Sequence, residues 1–390
     1  MTDTVLVTLT GRDRPGVTSA IFEVLGRYPV RVLDVEQVVL RGRLVLGVLL
    51  TAPPGSEAEA QLRNAVADTA SGLGLEPEIV SGSGDNAPRL SGRSHVTVLG
   101  SPLQPAAVAA IAGRIADLGA NIDRIVRLAR DPVTALELDV SGGEPGVLRS
   151  ALVTESFSQG VDVAVQPAGL YRRAKRLVVL DVDSTLIQGE VVEMLAEHAG
   201  CAAEVAQVTA AAMRGELDFT ESLRQRVELL AGVPESALAE VTEQVRLTSG
   251  ANTLMQTLQR LGYQIALVSG GFTQVVEPLA RSLGITNVAA NVLQLADGKL
   301  TGKLDGPIVD RRGKATALRD FAAAVEVPLA QTVAIGDGAN DLDMLDTAGL
   351  GIAFNAKPVV RRAADTAVNV PHLDAILYLL GINRDEIESA

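Results

Sequence analysis

The sequence predicts an α/β protein in three parts: two tandem βαββαβ modules, then a parallel-sheet domain carrying a small helical insertion. Three observations predict it. The chain has 390 residues, too many for one domain at roughly 100–200 residues each. One order of strands and helices occurs twice in the first half, about 90 residues apart, a period suited to a duplicated small domain rather than to a solenoid unit. The second half alternates helices with short, unbroken runs of Val, Ile and Leu, the pattern of strands buried on both faces.

The first module is expected over residues 1–82. TVLVTLT (residues 4–10) alternates and is rich in β-branched residues, as a strand should be. Gly11-Arg-Asp-Arg-Pro-Gly16 makes a turn, with Pro15 near the first helical position. A helix follows over about Val17 to Gly26. Two strands, RVLDVEQVVL and RLVLGVLLTA, meet at Arg41-Gly42. A polar, Ala-rich helix runs from about Ser56 to Ser71, and a last strand sits near Glu76 to Val80. Residues 81–94 are rich in Gly, Ser, Asn and Pro and read as a linker. The second module, residues 93–168, repeats the order: HVTVLG, a helix over PAAVAAIAGRIADLG, NIDRIVRLA and VTALELDVS, a helix over GEPGVLRSALVTESFSQ, then VDVAVQP. Tyr171 to Lys175 is a polar connector.

The third domain is expected over residues 176–390. Its strands RLVVLDV, QIALVSG and TVAIGD each end in a chemically loaded turn. Function in such sheets lies past the carboxyl ends of the strands. Asp181-Val-Asp183-Ser-Thr185 follows the first. Its two carboxylates, leaving the strand end together, would repel unless one holds a cation and the other works as an acid and base. Ser269-Gly270-Gly271 follows the second and offers a hydroxyl and close N–H groups to phosphate oxygens. Lys314 opens a helix after a Gly and can neutralise charge on a phosphoryl group. Gly336-Asp337-Gly-Ala-Asn340-Asp341 follows the third, beside a helix start that favours anions. Four carboxylates at one sheet edge need a cation, and Mg²⁺ suits a few carboxylates, waters and a phosphate. Between Leu186 and about Ala251 only helical segments occur, so a cap over residues 187–250 would cover the site and exclude water.

Composition narrows the partners. The net charge is −13, about −2 of it in residues 1–175 and about −11 in residues 176–390, which suggests two unlike functional halves. An acidic chain repels nucleic acid and anionic membranes at long range. Aromatics are 3% with no Trp, against base-stacking surfaces. No run of 18 apolar residues is present, and the N-terminus lacks a basic stretch followed by an apolar one. A cytoplasmic protein without nucleic-acid or membrane partners is expected. One cysteine, Cys201, excludes an internal disulfide, and with three His it excludes a Cys/His zinc site of ordinary spacing.

The βαββαβ order and the G-R-D-R-P-G turn resemble ACT domains, small ligand-binding modules of amino-acid enzymes. In the second copy the turn is Gly100-Ser-Pro-Leu-Gln-Pro-Ala106, without the Asp and closing Gly. The resemblance implies an amino-acid effector, serine or another, near Asp13, Gly16 and Gly100, and edge-to-edge pairing into a homodimer. Asp13 and Gly16 could equally cap a helix and shape a turn.

The ordered set DxDST, SGG, Lys and GDGAND resembles the haloacid dehalogenase-like phosphatases, whose domain is Rossmann-like. Gln188-Gly-Glu190, Met213, Phe219 and Arg226 in the cap resemble the substrate positions of the phosphoserine phosphatase family. That resemblance implies hydrolysis of O-phospho-L-serine to L-serine. Asp181 would be the nucleophile forming an aspartyl-phosphate and Asp183 the acid and base. Ser269, Gly270, Lys314 and Asn340 would hold the phosphoryl group. Asp181, Asp337, Asp341 and the Asp183 carbonyl oxygen would hold Mg²⁺. Glu190 would meet the substrate ammonium, Arg226 its carboxylate, and Met213 and Phe219 would form an apolar lid. Three rivals remain: a phosphatase for phosphothreonine or a related metabolite, a regulatory protein with a vestigial site, and a phospho-transferring ATPase.

Overall fold

The computed structural model describes residues 3–84, 92–169, 172, 174–213 and 216–389, with the Met213 side chain outside the description. The chain divides into two compact units, Met1–Arg89 and Leu90–Ala390.

The first unit is one βαββαβ module: β1 Asp3–Arg12, α1 Val17–Leu25, β2 Val32–Leu40, β3 Arg43–Thr51, α2 Ser56–Gly72 and β4 Leu75–Ser83. Its antiparallel sheet has the order β2-β3-β1-β4. Alternation places Val5, Val7 and Leu9 of β1 and Leu44, Leu46, Val48 and Leu50 of β3 on one buried face. Ile21 of α1 and Leu62 and Val66 of α2 cover that face. Each fully buried Val or Leu contributes roughly 1.5–3 kcal/mol. β4 runs three residues beyond the expected strand, into the expected linker; the rest of the linker, residues 85–91, lies outside the described residues.

The second unit begins with the repeated module: β5 Ser94–Gly100, α3 Pro105–Asp117, β6 Asn121–Ala129, β7 Thr134–Ser141, α4 Pro145–Gln159 and β8 Asp162–Pro167, in the order β6-β7-β5-β8. Two residues of the polar connector after it turn inward. Arg172 and Lys175 are buried. Arg172 binds the Leu379 carbonyl and Glu137, and Lys175 Nζ donates to the Ala330 carbonyl at 2.7 Å.

The larger sheet has seven strands in the order β12-β11-β10-β9-β13-β14-β15. They are β9 Leu177–Asp181, β10 Gln264–Phe272, β11 Asn287–Ala296, β12 Lys299–Asp305, β13 Thr332–Gly336, β14 Gly351–Phe354 and β15 Thr366–Val368. All pairs are parallel except β11–β12. The apolar runs of β9, β10 and β13 are the central three, so the loaded turns lie side by side. Four cap helices follow β9: α5 Val191–Ala199, α6 Ala202–Met213, α7 Phe219–Glu228 and α8 Ser236–Gln244. The cap returns beside its exit: Gln188 N–H donates to Arg246 O at 2.8 Å, and Thr248 N–H to Leu186 O at 2.9 Å. Then come α9 Ala251–Arg260, α10 Thr273–Ser282, α11 Arg311–Ala324, α12 Leu342–Thr347, α13 Pro358–Ala363, α14 Ile376–Leu379 and α15 Arg384–Ser389.

Candidate active site

Asp181 is the last residue of β9, and its Oδ1 accepts from Lys314 Nζ at 2.6 Å. The same ammonium donates to Asp341 Oδ1 at 2.7 Å. Asp310 caps α11 by accepting the Gly313 N–H at 2.8 Å, which fixes the turn that carries Lys314. Asp341 Oδ2 accepts the Gly338 N–H at 2.9 Å. Only glycine fits at 336, since a Cβ there would lie 2.4 Å from Asp341 Cγ. Asp337 Oδ1 accepts from Thr185 Oγ1 at 3.2 Å, and the Thr185 carbonyl accepts from Thr248 Oγ1 at 2.7 Å.

Asp183 lies outside the carboxylate cluster of Asp181 and has partners of its own. The turn over Val182–Leu186 has Ser184 at φ 57°, just after Asp183. Asp183 Oδ1 accepts the Val191 N–H at 2.8 Å at the start of α5, and Oδ2 accepts from Ser269 Oγ at 2.8 Å. Three carboxylates therefore converge, not four: those of Asp181, Asp337 and Asp341 offer oxygens within 4.8 Å of one another.

Charge at this centre is costly. Burial pushes the Asp181 carboxyl well above its ordinary range; the Asp341 charge adds to this and Lys314 opposes it. Burial and Asp341 push Asp337 up to about 6. Burial alone would lower the Lys314 ammonium, but Asp181 and Asp341 hold it above its ordinary value, so it stays charged. With all three carboxylates ionised, one ammonium leaves two negative charges. The oxygen-only donors and that residual charge both fit one hard divalent cation.

The cap supplies the other wall. Arg226 of α7 is 8% exposed, and its Nη1 lies 3.4 Å from Glu190 Oε2. Its Nε is buried and has no hydrogen-bond partner among the described residues. Glu190 is raised by burial and by Asp183, with Arg226 opposing. Phe219 opens α7; its Cζ would lie 3.1 Å from a Cβ on Gly270, and Asn340 Nδ2 4.0 Å from the same point. So Phe219, Gly270 and Asn340 border one space.

Asp13 and Gly16 belong to the first module and Gly100 to the second. Asp13 N–H donates to Gly42 O at 2.8 Å. The N-cap of α1 is Gly16, at φ 90° and without a side-chain cap, so Asp13 does not cap the helix. A Cβ on Gly100 would sit 2.8 Å from Leu103 Cα. Sequence reasoning missed Thr248 and Asn291, whose side chains bind main-chain atoms of the site. It also missed a group on the second module, His95 of β5 with Glu137 and Asp139 of β7.

Comparison with known proteins agrees with this geometry. The haloacid dehalogenase-like hydrolase model matches residues 178–346, and two ACT-domain models match residues 3–79 and 93–166. A phosphoserine phosphatase of Streptomyces coelicolor is 62% identical over 99% of this chain and 94% of its own length. Phosphoserine phosphatase SerB2 of Mycobacterium tuberculosis is 53% identical over 99% of this chain and 95% of its own. A solved structure described as a phospho-aspartyl intermediate analogue of phosphoserine phosphatase aligns at TM-score 0.50 and 39% identity, covering 52% of this chain and 98% of that one. Likeness along nearly the whole length of two relatives, with a lysine-bridged acid cluster at the sheet edge, shows that this chain belongs to the phosphoserine phosphatase family of haloacid dehalogenase-like hydrolases with ACT domains.

Proposed function

We propose that the chain hydrolyses O-phospho-L-serine to L-serine and phosphate, the last step of serine synthesis, through an aspartyl-phosphate on Asp181. One observation carries the reading: beside the Asp181–Lys314 centre, Arg226 and Glu190 form a half-buried pair of opposite charges. A free amino acid bears both complements. Its carboxylate suits the planar guanidinium, including the unpartnered Nε, and its ammonium suits Glu190. Phe219 and Met213 would close over the apolar part.

Asp181 attacks phosphorus in line with the serine oxygen. As the P–O bond to serine breaks, Asp183 gives its proton to the departing oxygen. Asp183 then takes a proton from water, whose oxygen attacks the phosphorus and breaks the bond to Asp181. Gly270, Lys314 and Asn340 hold the phosphoryl oxygens, while the Ser269 hydroxyl proton bonds Asp183. Asp181, Asp337 and Asp341 would hold Mg²⁺, with the Asp183 carbonyl oxygen. When bound, Mg²⁺ supplies a charge clamp and a template for the phosphoryl group.

The modules at 1–82 and 93–168 would serve the catalytic domain at 176–390 as amino-acid sensors, with serine the effector near Asp13, Gly16 and Gly100. A cytoplasmic homodimer is the expected form. A phosphatase panel with and without Mg²⁺ and serine tests the whole reading. O-phospho-L-serine should lead the panel, chelation should stop turnover, and serine should change rate or melting temperature. Asp181→Asn should abolish turnover and the phospho-enzyme while the fold persists; near-normal turnover by that variant overturns the mechanism.

A further inference from the structure

Strand β10 loses register with β11 between Val268 and Phe272, across the Ser269-Gly270-Gly271 turn. Asn291 of β11, paired with Phe272, fills the break and is 1% exposed. Its Nδ2 donates to the Gly270 carbonyl at 2.8 Å, and its Oδ1 accepts the Val309 N–H at 2.8 Å. One side chain thus joins the irregular Ser269–Gly271 stretch of β10 to the segment that leads into α11, the helix of Lys314.

The Gly270–Gly271 peptide is planar and trans, so its carbonyl and its N–H point in opposite directions. Asn291 holds the carbonyl. The N–H then faces Ser269 Oγ, to which it donates at 2.7 Å. A hydroxyl has one proton. With Gly271 filling an acceptor position, that proton is directed to Asp183 Oδ2 at 2.8 Å. The relay is tight: a Cβ on Gly271 would lie 2.7 Å from Asp183 Oδ2 and 2.9 Å from Ser269 Oγ.

We infer that Asn291 is a positioning residue for Asp183: it fixes the Gly270–Gly271 peptide, and so the Ser269 hydroxyl that orients the Asp183 carboxylate. The inference rests on the reading of Asp183 as proton donor to the leaving group. A merely structural Asn291 would move stability alone. A positioning Asn291 also moves the dependence on leaving group, because a poor leaving group needs the donated proton and a good one does not.

The test compares kcat/KM for 4-nitrophenyl phosphate and phenyl phosphate, which lack the ammonium and carboxylate read by the cap. Asn291→Asp keeps the volume and the acceptor for Val309 but turns an acceptor toward Gly270. It should raise the nitrophenyl-to-phenyl ratio roughly ten-fold. Ser269→Ala breaks the relay at its other end and should raise the ratio similarly, which keeps the inference testable if Asn291→Asp fails to fold. Gln274→Ala is the control: it loosens the same joint, where Gln274 bonds the Leu293 N–H and carbonyl, and should lower the melting temperature without moving the ratio. Asp183→Asn should raise the ratio most. An unmoved ratio in folded Asn291→Asp or in Ser269→Ala, with a raised one in Asp183→Asn, overturns the positioning role alone. An unmoved ratio in Asp183→Asn overturns the proton-donor reading, and the positioning role with it.

Discussion

Arg226 and Glu190 neutralise each other at 3.4 Å, and an incoming zwitterion must separate them and pair with each. Arg226→Ala therefore removes the carboxylate grip and leaves Glu190 facing Asp183. Truncating one partner of such a pair costs about 2–5 kcal/mol. kcat/KM for O-phospho-L-serine should fall on the order of a hundred-fold or more, and that for 4-nitrophenyl phosphate only a few-fold. Equal losses on both substrates would refute the grip. Asp337 sets a pH dependence of metal binding. Its carboxyl, pushed up to about 6 by burial and Asp341, is partly protonated near pH 6 in the metal-free chain, and a cation requires it ionised. Mg²⁺ binding should therefore release protons at pH 6 and below, fewer at pH 7, and almost none from this group at pH 8. Calorimetry in two buffers of different ionisation enthalpy reads that release; a release that grows from pH 6 to 8 contradicts the assignment. The carboxylates and Lys314 were legible in the sequence because each follows an apolar strand or opens a helix. Asn291 was not, because an isolated Asn inside a strand carries no pattern, and its worth depends on which peptide it faces.

Helix α7 carries both ends of the substrate wall, Phe219 in its first turn and Arg226 in its last. Its start depends on Asp218, whose carboxylate accepts the Glu221 N–H at 2.7 Å. Asp218→Ala removes that cap at about 1 kcal/mol, and the first turn frays where Phe219 sits. KM for O-phospho-L-serine should rise several-fold while kcat with 4-nitrophenyl phosphate changes little. Hydrogen exchange of amides in the first turn of α7 should accelerate; unchanged exchange with unchanged KM would show that packing alone holds the helix. Strands β9, β10 and β13 stand out because central parallel strands are apolar throughout. The other four do not: β14 and β15 are short, and β11 and β12 form an antiparallel hairpin at the sheet edge with polar residues interleaved. Four cap helices were readable as helical but not their return, because the ladder from Gln188 to Arg246 joins residues far apart in sequence.

At the scale of the molecule, the two modules differ in how they close. The first buries Val5, Leu9, Ile21, Leu46 and Leu62 in a core made only of its own residues. The second has such a core too and shares a further one with the catalytic sheet: Leu99, Leu128, Val133 and Ala164 cluster with Val368, Val370, Leu373 and Leu377. Polar contacts seal that joint. Asp162 of β8 accepts from the Asn369 and Val370 N–H groups and from Asn369 Nδ2, and its carboxyl is raised by burial while those bonds oppose the rise. Gln166 Nε2 donates to the Leu379 carbonyl at 2.8 Å, and Arg149 pairs with Asp365 at 2.8 Å. None of this was legible in the sequence, since Asp162 and Gln166 lie in an otherwise ordinary alternating strand. A chain beginning at residue 92 keeps every one of these contacts and should retain the full chain's turnover on O-phospho-L-serine without serine. A chain beginning at residue 176 uncovers the Val368–Leu377 cluster and exchanges the Asp162 bonds to the Asn369 and Val370 N–H groups for water. It should melt well below the 92–390 chain and aggregate at lower temperature, with thermal unfolding and light scattering as the readouts. Equal melting of the two would show that the second module rests on the sheet without supporting it. Asp162→Ala in the full chain separates the polar seal from the apolar one: it should lower the melting temperature by part of the truncation's loss and leave KM for O-phospho-L-serine unchanged, because the joint lies at β15 rather than at the strand ends that carry the site.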